Sequence, residues 1–590
     1  MKKLHDPYRN QVAALLKAAA EPLFSMNDSF LDEGVFSEHL AGPPNPQLGD
    51  FAFGCFILAK NLKKAPPIVA QELKSQLEKS SQASSIFESV QCAGPYLNLK
   101  LKLNYLGENL LQEILKGNYF KTRLIEQSPK TMIEYSQPNT HKEIHVGHMR
   151  NASLGDALVR LQRYIGIDVI SSTFPGDVGT HVAKCLWYLK FHNTEPIPSE
   201  KKGEWLGKIY SRANTKFEDE LGTEQEQKNR EQLTLILKQL EEGCGEYFDL
   251  WKETRQWSID LMNQVYAWAG ISFDRWYWES EVDADSVRYV KQLFAEGKLI
   301  QSQGAVGMDL EAEGLGFCLL LKSDGNGLYA TKDLELARRK FQDFGIEKNI
   351  YVVDIRQALH FKQVFKSLEK LGFPQAKDCF HLQYNFVELP DGAMSSRKGN
   401  IVPLMELVEK MQAQVQSQYL SRYQDWSEEE KSLVAKQVAQ GAIKYGMLRM
   451  DTNKKIVFDM NEWLKIEGES GPFIQYSCAR INSLIEKFKV DSLEKSSWEL
   501  LSHPAERAVI QHLMHFHQIV VSAALNYKPN LLCTYLFEGA QKFNHFYHEC
   551  SIGNAETADL RKARLALSQC MGLTLSKGLE LLGIPTPKRM

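Results

Sequence analysis

At 590 residues the chain is too long for one hydrophobic core, and its length suggests about four compact units. Its content of 43% apolar and 24% charged residues is ordinary for a globular protein, and a net charge of −3 gives no global sign of a nucleic-acid partner, so any such binding must use local basic patches. The ten cysteines are scattered without a C-x-x-C pair, which excludes a zinc knuckle or a disulfide framework and fits a reducing cytoplasm. No run of eighteen apolar residues is present, so no membrane span is expected.

Residues 1–110 read as a first, α+β unit. Helical periodicity runs from Tyr8 to about Phe24; its apolar run VAALLKAAAEPLF is broken by Lys17 and Glu21, so it is an amphipathic helix and not a signal peptide. Residues 49–77 give helical turns of apolar residues around Lys60, Lys63 and Lys64, with Pro66-Pro67 opening a second helix, and GPYLNLKL at 94–101 alternates as a strand. Solvated lysines on a small domain account for this stretch without any further role. Residues 103–130 read as a helix and linker.

The most informative stretch is TMIEYSQPNTHKEIHVGHMRNASLGDALVRLQRYIG, residues 131–166. A short β-type run, Thr131 to Ser136, breaks at Pro138 and Asn139, and from about Val146 the apolar residues take helical spacing. His145-Val146-Gly147-His148 stands at the helix mouth. A strand, a turn and a helix N-terminus make an anion site through backbone N–H groups and the helix dipole. Gly147 would let a base or ribose lie flat, and two imidazoles could donate to phosphate oxygens. Read alone, His-x-x-His could equally be surface or core histidine or part of a metal pair, although no third ligand stands at metal-site spacing.

The run SQPNTHKEIHVGHMRN, with HVGH in the place of HIGH, resembles the arginyl-tRNA synthetases among the class I aminoacyl-tRNA synthetases. The resemblance implies three main units: an N-terminal added domain over 1–110 that meets tRNA, a Rossmann-type catalytic domain with a parallel sheet over 125–403, and an all-helical anticodon-binding bundle over 466–590. Stem helices at 404–465 connect the last two. The segment GDFAF…LAK…P-x-x-x-A followed by GPYLNLKL is similar to the family's added domain, which meets the tRNA elbow.

A second strand, about Asp168 to Phe174, ends at PGDVGTHVAK, a turn where doubly wound sheets place ligands. The family usually shows tryptophan and glutamine where this chain has Val178 and His181. Residues 195–255 read as inserted, charged helices with a solvated face. FDRWYWESE at 273–281 offers four aromatics, more often core than pocket; a similar element lines the family's active site. FCLLLKSDGNGLYATKDLELARRKF is a buried strand, a tight turn and a helix from near Asp333. Tyr329 and Asp333 are four apart, so both can reach one pocket; a carboxylate can accept two guanidinium donors in parallel, yet Asp333 could equally cap the helix. NIYVVDIRQALHFKQVF gives another buried strand, then a helix carrying His360 and Gln363.

The resemblance assigns roles position by position. Glu134, Gln137, Asn139, His148, Glu279, Tyr329, Asp333 and Gln357 would bind arginine. His145, Gly147, His148, Met394, Ser395 and Lys398 would bind ATP, which arrives with Mg²⁺; no structural metal is expected. His145, His148, Lys142, Arg397 and Lys398 would serve the chemistry. AMSSRKG at 393–399 resembles the KMSKS loop, but Ser396 stands where the second lysine belongs; many arginyl enzymes with that loss carry a lysine before HIGH, where this chain has Lys142. Tyr476 and Arg480, in a helix similar to the opening of the anticodon-binding domain, would touch tRNA. After residue 466 basic and acidic side chains nearly balance, so charge alone names no RNA-binding domain, and His512, His515 and His517 read as core or surface histidines. The ending LGIPTPKRM resembles the family's C-terminus, which suggests a complete chain. The implied activity is ATP-dependent ligation of arginine to tRNA(Arg) by a cytoplasmic monomer, and binding to RNA should weaken steeply with salt. A class I ligase for another amino acid and a silent tRNA-binding paralogue are the rival readings; the pocket residues disfavour the first, and an intact HVGH, Lys142 and basic loop disfavour the second.

Overall fold

The computed structural model describes residues 7–24, 33–43, 45–121, 123–126, 128–389, 392–393, 402–490 and 492–590. In the N-terminal unit four strands pair antiparallel in the order Leu40–Ala41, Phe51–Gly54, Tyr96–Leu101, Phe87–Ala93. Phe51–Gly54 falls inside the stretch whose apolar residues suggest helix; it pairs with Tyr96–Leu101 and buries Phe51 and Phe53, so cross-strand pairing decides its state. Helix Pro66–Lys79 opens with proline in its first turn and packs Val69, Ala70, Leu73 and Leu77 onto the sheet's core.

The central unit is built on a five-stranded parallel sheet, and its elements are numbered from there. Strand β1 (Thr131–Glu134) is followed by helix α1 (His148–Ile165), β2 (Val169–Thr173) and α2 (Thr180–Phe191). Helices α3 (Lys202–Asp219), α4 (Gln225–Glu242) and α5 (Glu246–Ala269) precede β3 (Arg275–Trp276). Next come α6 (Glu279–Ala295), an antiparallel sheet of β4 (Ile300–Ser302), β5 (Ala305–Leu310) and β6 (Gly316–Leu321), then α7 (Tyr329–Phe344), β7 (Lys348–Asp354), α8 (Ala358–Lys370) and β8 (Cys379–Tyr384). The parallel order is β8-β7-β1-β2-β3. The chain leaves β1 in one direction for β2 and β3 and returns on the other side with β7. The topological switch point therefore lies at the C-terminal ends of β1 and β7, where the crevice for ligands opens.

Among the inserted helices, α4 keeps a largely exposed charged face and packs Leu233 and Ile236 into a small core with Trp187 of α2. Helix α7 begins at Tyr329, one turn earlier than the sequence pattern places it, because Leu328 N–H bonds Thr331 Oγ1 (3.0 Å) and starts the first turn there.

Helices Gly471–Phe488, Pro504–Met514, Phe516–Leu525, Pro529–Glu549 and Ala558–Leu581 form the C-terminal bundle. The stretch Pro504–Leu525 is long and apolar enough to cross a membrane, but it is two helices turning at His515, 56% buried within the bundle. The bundle also docks on the N-terminal unit. Asp50, buried in the latter, ion-pairs with Arg507 and accepts from Gln511 Nε2 (3.0 Å), and the Tyr119 and His517 rings stack at 3.9 Å. One hydrophobic core runs through all three regions.

Packing of α1 on β1 fixes the site and gives a test. A Cβ on Gly155 would stand 2.0 Å from Tyr135 Cγ, just past the end of β1, so only glycine permits this approach. Gly155→Ala should overpack the contact and cost about 1–3 kcal/mol, seen as a lowered denaturation midpoint. An unchanged midpoint would mean that α1 does not lie this close to β1.

Candidate active site

The loop leaving β1 contains two non-glycine residues with left-handed backbone, Ser136 (φ 56°) and His141 (φ 62°). Both are held from several sides. Ser136 N–H donates to Asn151 Oδ1 on α1 (2.7 Å), its carbonyl accepts from Thr173 Oγ1 on β2 (2.6 Å) and Tyr266 OH on α5 (3.2 Å), and its hydroxyl meets Tyr266 OH at 3.0 Å. His141 N–H donates to Ser258 Oγ (2.9 Å), and its ring is bracketed by the hydroxyls of Thr140 (2.9 Å) and Thr254 (2.8 Å). Between these anchors lie Gln137 and Asn139.

Residues 144–146 form a short antiparallel bridge with 402–404: Val146 N–H donates to Val402 O (3.1 Å) and Leu404 N–H to Ile144 O (2.9 Å). Val402 to Leu404 therefore stand directly beside HVGH, and Gly392–Ala393 pairs with Glu388–Leu389. Met394, Ser395, Ser396, Arg397 and Lys398 themselves lie outside the described residues.

The expectation that free backbone N–H groups at the mouth of α1 face a phosphate is corrected by the geometry. The N–H groups of His148, Met149 and Arg150 bond the carbonyls three residues back at 2.9, 3.0 and 3.2 Å. Gly147 N–H donates to His145 Nδ1 and His145 N–H to His148 Nδ1, both at 3.1 Å. Since each Nδ1 accepts, the proton of each neutral ring sits on Nε2. The donors offered to an anion are thus side-chain Nε2–H groups. The rings lie 3.9 Å apart. Burial and the neighbouring ring push His145 well below the usual histidine range, and burial with the Lys142 charge lowers His148 to about 4, so both stay neutral at physiological pH. Burial, and after it the Lys142 charge, also holds His181 well below the usual histidine range, and the Lys142 ammonium stands 5.4 Å from the Tyr210 ring centre.

Around the crevice the carboxylates fall into two kinds. Glu134 is ion-paired with Lys340 and accepts from Gln137 Nε2 (3.2 Å), and Gln137 Oε1 accepts from Asn151 Nδ2 (3.1 Å). Glu279 pairs with Lys332 at 2.7 Å, Asp177 with Arg255 at 2.7 Å and Asp354 with Arg356 at 2.8 Å. Burial raises the pKa of Glu279 despite Lys332. A Cβ on Gly176 would lie 2.3 Å from Asn139 Oδ1 and 3.0 Å from Glu279 Oε2, so these two oxygens converge over a glycine. Asp333 differs: its partner is an imidazole, His360 Nε2 at 2.5 Å. Tyr329, one turn earlier on α7, is 67% exposed, and Gln357, the N-cap residue of α8, is exposed as well.

Sequence reasoning missed Lys340, Lys332, Asn151 and Arg255. Lys332 stands in the YATKD run already singled out and could have been found there. Lys340, fully buried on α7 with its ammonium 4.4 Å from the Tyr351 ring centre, sits in ARRKF, which reads as a solvated basic face. In the bundle, Arg480 is exposed and its guanidinium lies 4.5 Å from the Tyr547 ring centre, while Tyr476 is half-buried. Among the described residues no cluster of three or more His, Cys, Asp or Glu could hold a metal ion.

The neutral, buried His141 makes folding sensitive to acid. Burial and then Arg255 lower it from 6.5 to about 3. The unfolded chain therefore takes up the proton first as pH falls, and stability is lost progressively from pH 6.5 towards pH 3. His141→Asn, which tolerates the left-handed backbone, should flatten this loss by up to about 1.4 kcal/mol per pH unit in denaturant titrations across that window. An unaltered slope would contradict a neutral His141.

The comparisons with known proteins cover the same three regions. The family described as "tRNA synthetases class I (R), catalytic domain" matches residues 110–460, the arginyl tRNA synthetase N terminal domain matches 9–101, and the DALR anticodon binding domain matches 474–590. The arginine–tRNA ligase of Bdellovibrio bacteriovorus is 60% identical over 99% of this chain and 100% of its own, and that of Halothermothrix orenii is 34% identical over 94% and 96%. Among solved structures, the Thermus thermophilus arginyl-tRNA synthetase superposes with a TM-score of 0.79 at 26% identity, covering 99% of this chain and all of that one. With HVGH at the switch point of a parallel sheet, an antiparallel α+β unit before it and a helical bundle after it, the chain belongs to the class I arginyl-tRNA synthetases.

Proposed function

We propose that the crevice at β1 and β7 divides its work between two surfaces, one for phosphates and one for a guanidinium. The chain is an arginine–tRNA ligase that uses ATP. In the first step an oxygen of the arginine carboxylate attacks the α-phosphorus of ATP, the bond from that phosphorus to the bridging oxygen breaks and pyrophosphate leaves; Mg²⁺ arriving with the nucleotide would balance charge on its phosphates. In the second, a hydroxyl of the terminal ribose of tRNA(Arg) attacks the carbonyl carbon of arginyl-adenylate, and AMP leaves. His145 and His148 donate Nε2–H to phosphate oxygens, with Gly147 beside the nucleotide, while Lys142 balances the charge that builds on the triphosphate. Met394, Ser395, Arg397 and Lys398 are assigned to the same phosphates by their likeness to the KMSKS motif. Fixed donors in a water-poor site stabilise developing charge without reorganising, which supplies most of the acceleration.

On the other surface, Asn139 and Glu279 receive the α-amino end of arginine, Gln357 borders the pocket, and Asp333 with Tyr329 takes the guanidinium. Glu134 and Gln137 support that wall from below. The observation that carries the guanidinium assignment is the kind of partner each carboxylate has: Glu134, Asp177, Glu279 and Asp354 are paired with permanently charged lysine or arginine, whereas Asp333 faces a titratable imidazole whose pKa it raises. Tyr476 and Arg480 present the bundle to tRNA. The chain is read as a monomer, and ten cysteines without a disulfide fit the cytoplasm as its site of action.

Aminoacylation by the purified protein, run with tRNA and each amino acid in turn, tests the reading. Arginine alone should be esterified, and Asp333→Ala should raise the arginine KM by about 10²–10³-fold, the scale of removing one partner from a buried pair, while ATP binding stays near normal. An unchanged arginine KM would sink the pocket. For the phosphate side, Lys142→Ala should lower kcat strongly in exchange of pyrophosphate measured with tRNA present, and adding Ser396→Lys should restore part of it. A wild-type rate in Lys142→Ala would reject its role, and no recovery in the double variant would reject the compensation.

A further inference from the structure

Asp333 does not face the crevice unsupported. Its Oδ2 lies 2.5 Å from Nε2 of His360, on the first turn of α8, and the two side chains are only 14% and 22% exposed. The imidazole is itself fixed: it stands edge-on to Phe361 at 5.2 Å, and the Phe361 ring lies 4.5 Å from that of His381 and 5.1 Å from that of Tyr351. An aspartate's terminal torsion is broad and roughly two-fold, so an unanchored carboxylate sweeps through orientations. One hydrogen bond from a locked ring selects one plane. An ionised carboxylate has about four acceptor sites, so the bond to His360 leaves enough for two parallel N–H···O bonds from a planar fork.

We propose that His360 is a positioning residue that sets the plane of the Asp333 carboxylate and thereby sharpens selection of a guanidinium over an ammonium. The inference rests on the reading of Asp333 as the guanidinium acceptor. A fork of fixed geometry needs a carboxylate of fixed orientation, whereas the compact ammonium of lysine or ornithine is satisfied by any rotamer. A second observation agrees with it. Lysine or arginine in the place of His360 would carry a permanent positive charge and compete with the substrate for the carboxylate. Burial lowers the His360 pKa and Asp333 more than offsets this, raising it. Unlike lysine or arginine, the imidazole can give up its proton when a cation binds while its N–H still orients the carboxylate.

The test uses the full-length enzyme with tRNA present and four variants: His360→Ala, His360→Gln, His360→Asn and Asp333→Asn. In His360→Ala the arginine KM should rise about ten- to a hundredfold, the scale of a small misplacement of a binding group. The ATP KM and the kcat at saturating arginine should stay within about twofold. Inhibition by lysine or ornithine should weaken far less than arginine binding does. His360→Gln, whose amide N–H reaches as far as Nε2, should recover most of the arginine KM, and the shorter asparagine should not. This pair of variants decides the matter even if the alanine variant folds poorly. Arginine KM within twofold of wild type in His360→Ala, or equal values in the glutamine and asparagine variants, would overturn the proposal. So would a loss that falls equally on arginine and ATP and follows the thermal midpoint, because that describes a staple between α7 and α8. Asp333→Asn separates the two levels: if it is crippled while His360→Ala is normal, only the positioning role fails, and if it is normal the pocket reading fails with it.

Discussion

The left-handed turn at Ser136 is the constraint on which the rest of the crevice depends. A serine at φ 56° carries a steric cost of order 1–3 kcal/mol and persists only where its surroundings over-determine it. Here they do: α1 supplies Asn151, β2 supplies Thr173 and α5 supplies Tyr266, and together they engage the amide, the carbonyl and the hydroxyl of that one residue. Asn151 also reaches Gln137 (3.1 Å) and the carbonyl of Val352 on β7 (2.9 Å). The turn is therefore tied to strands on both sides of β1. It sends Gln137 towards the Glu134–Lys340 pair and Asn139 towards Glu279, and it delivers the chain to HVGH a few residues later. One backbone irregularity sets the amino-acid side and the phosphate side in the same stroke.

Charge is distributed with the same economy. Lysines and arginines neutralise most of the carboxylates around the crevice, and the pairs of the largely buried Lys340 and Lys332 cost desolvation that only good geometry and further hydrogen bonds offset. The same pattern extends away from the crevice. Lys444, wholly buried, pairs with Asp156 of α1 at 3.0 Å and donates to Gly583 O at 2.9 Å, joining the helix that starts at His148 to the end of the C-terminal bundle. Burial lowers the pKa of Lys444, and Asp156 opposes that shift. Arg150, also buried, donates to the carbonyl of Asp451 (3.2 Å) just beyond helix Glu428–Leu448. The phosphate-side helix is thus held by ionic and hydrogen-bonded contacts with the helices that follow the catalytic sheet.

Much of this organisation is legible in the residues. The strand, turn and helix around HVGH, the buried strands FCLLL and NIYVVD, and the helical character after residue 404 all follow from periodicity and turn chemistry. The edge strands β3 and β8 do not: Arg275–Trp276 has two residues, and CFHLQY buries Cys379, Leu382 and Tyr384 at uneven spacing, so neither shows a period of two or a continuous apolar run. Buried cations such as Lys340 and Lys444 look like surface residues in one dimension, because what makes them tolerable is a carboxylate more than two hundred positions away. The engaged N–H groups at the mouth of α1 were equally invisible. Whether a helix start offers donors or consumes them depends on ring orientations and i−3 bonds that spacing does not encode.

The central claim is that one turn builds both halves of the crevice, and Asn151→Ala examines it most directly. Steady-state kinetics with tRNA present, beside a denaturation curve on the same preparation, would give KM for arginine, KM for ATP, kcat and stability. Releasing the Ser136 amide and Gln137 together should raise both KM values and lower kcat while the protein remains folded. A variant in which only one substrate is affected, or in which stability alone changes, would contradict it.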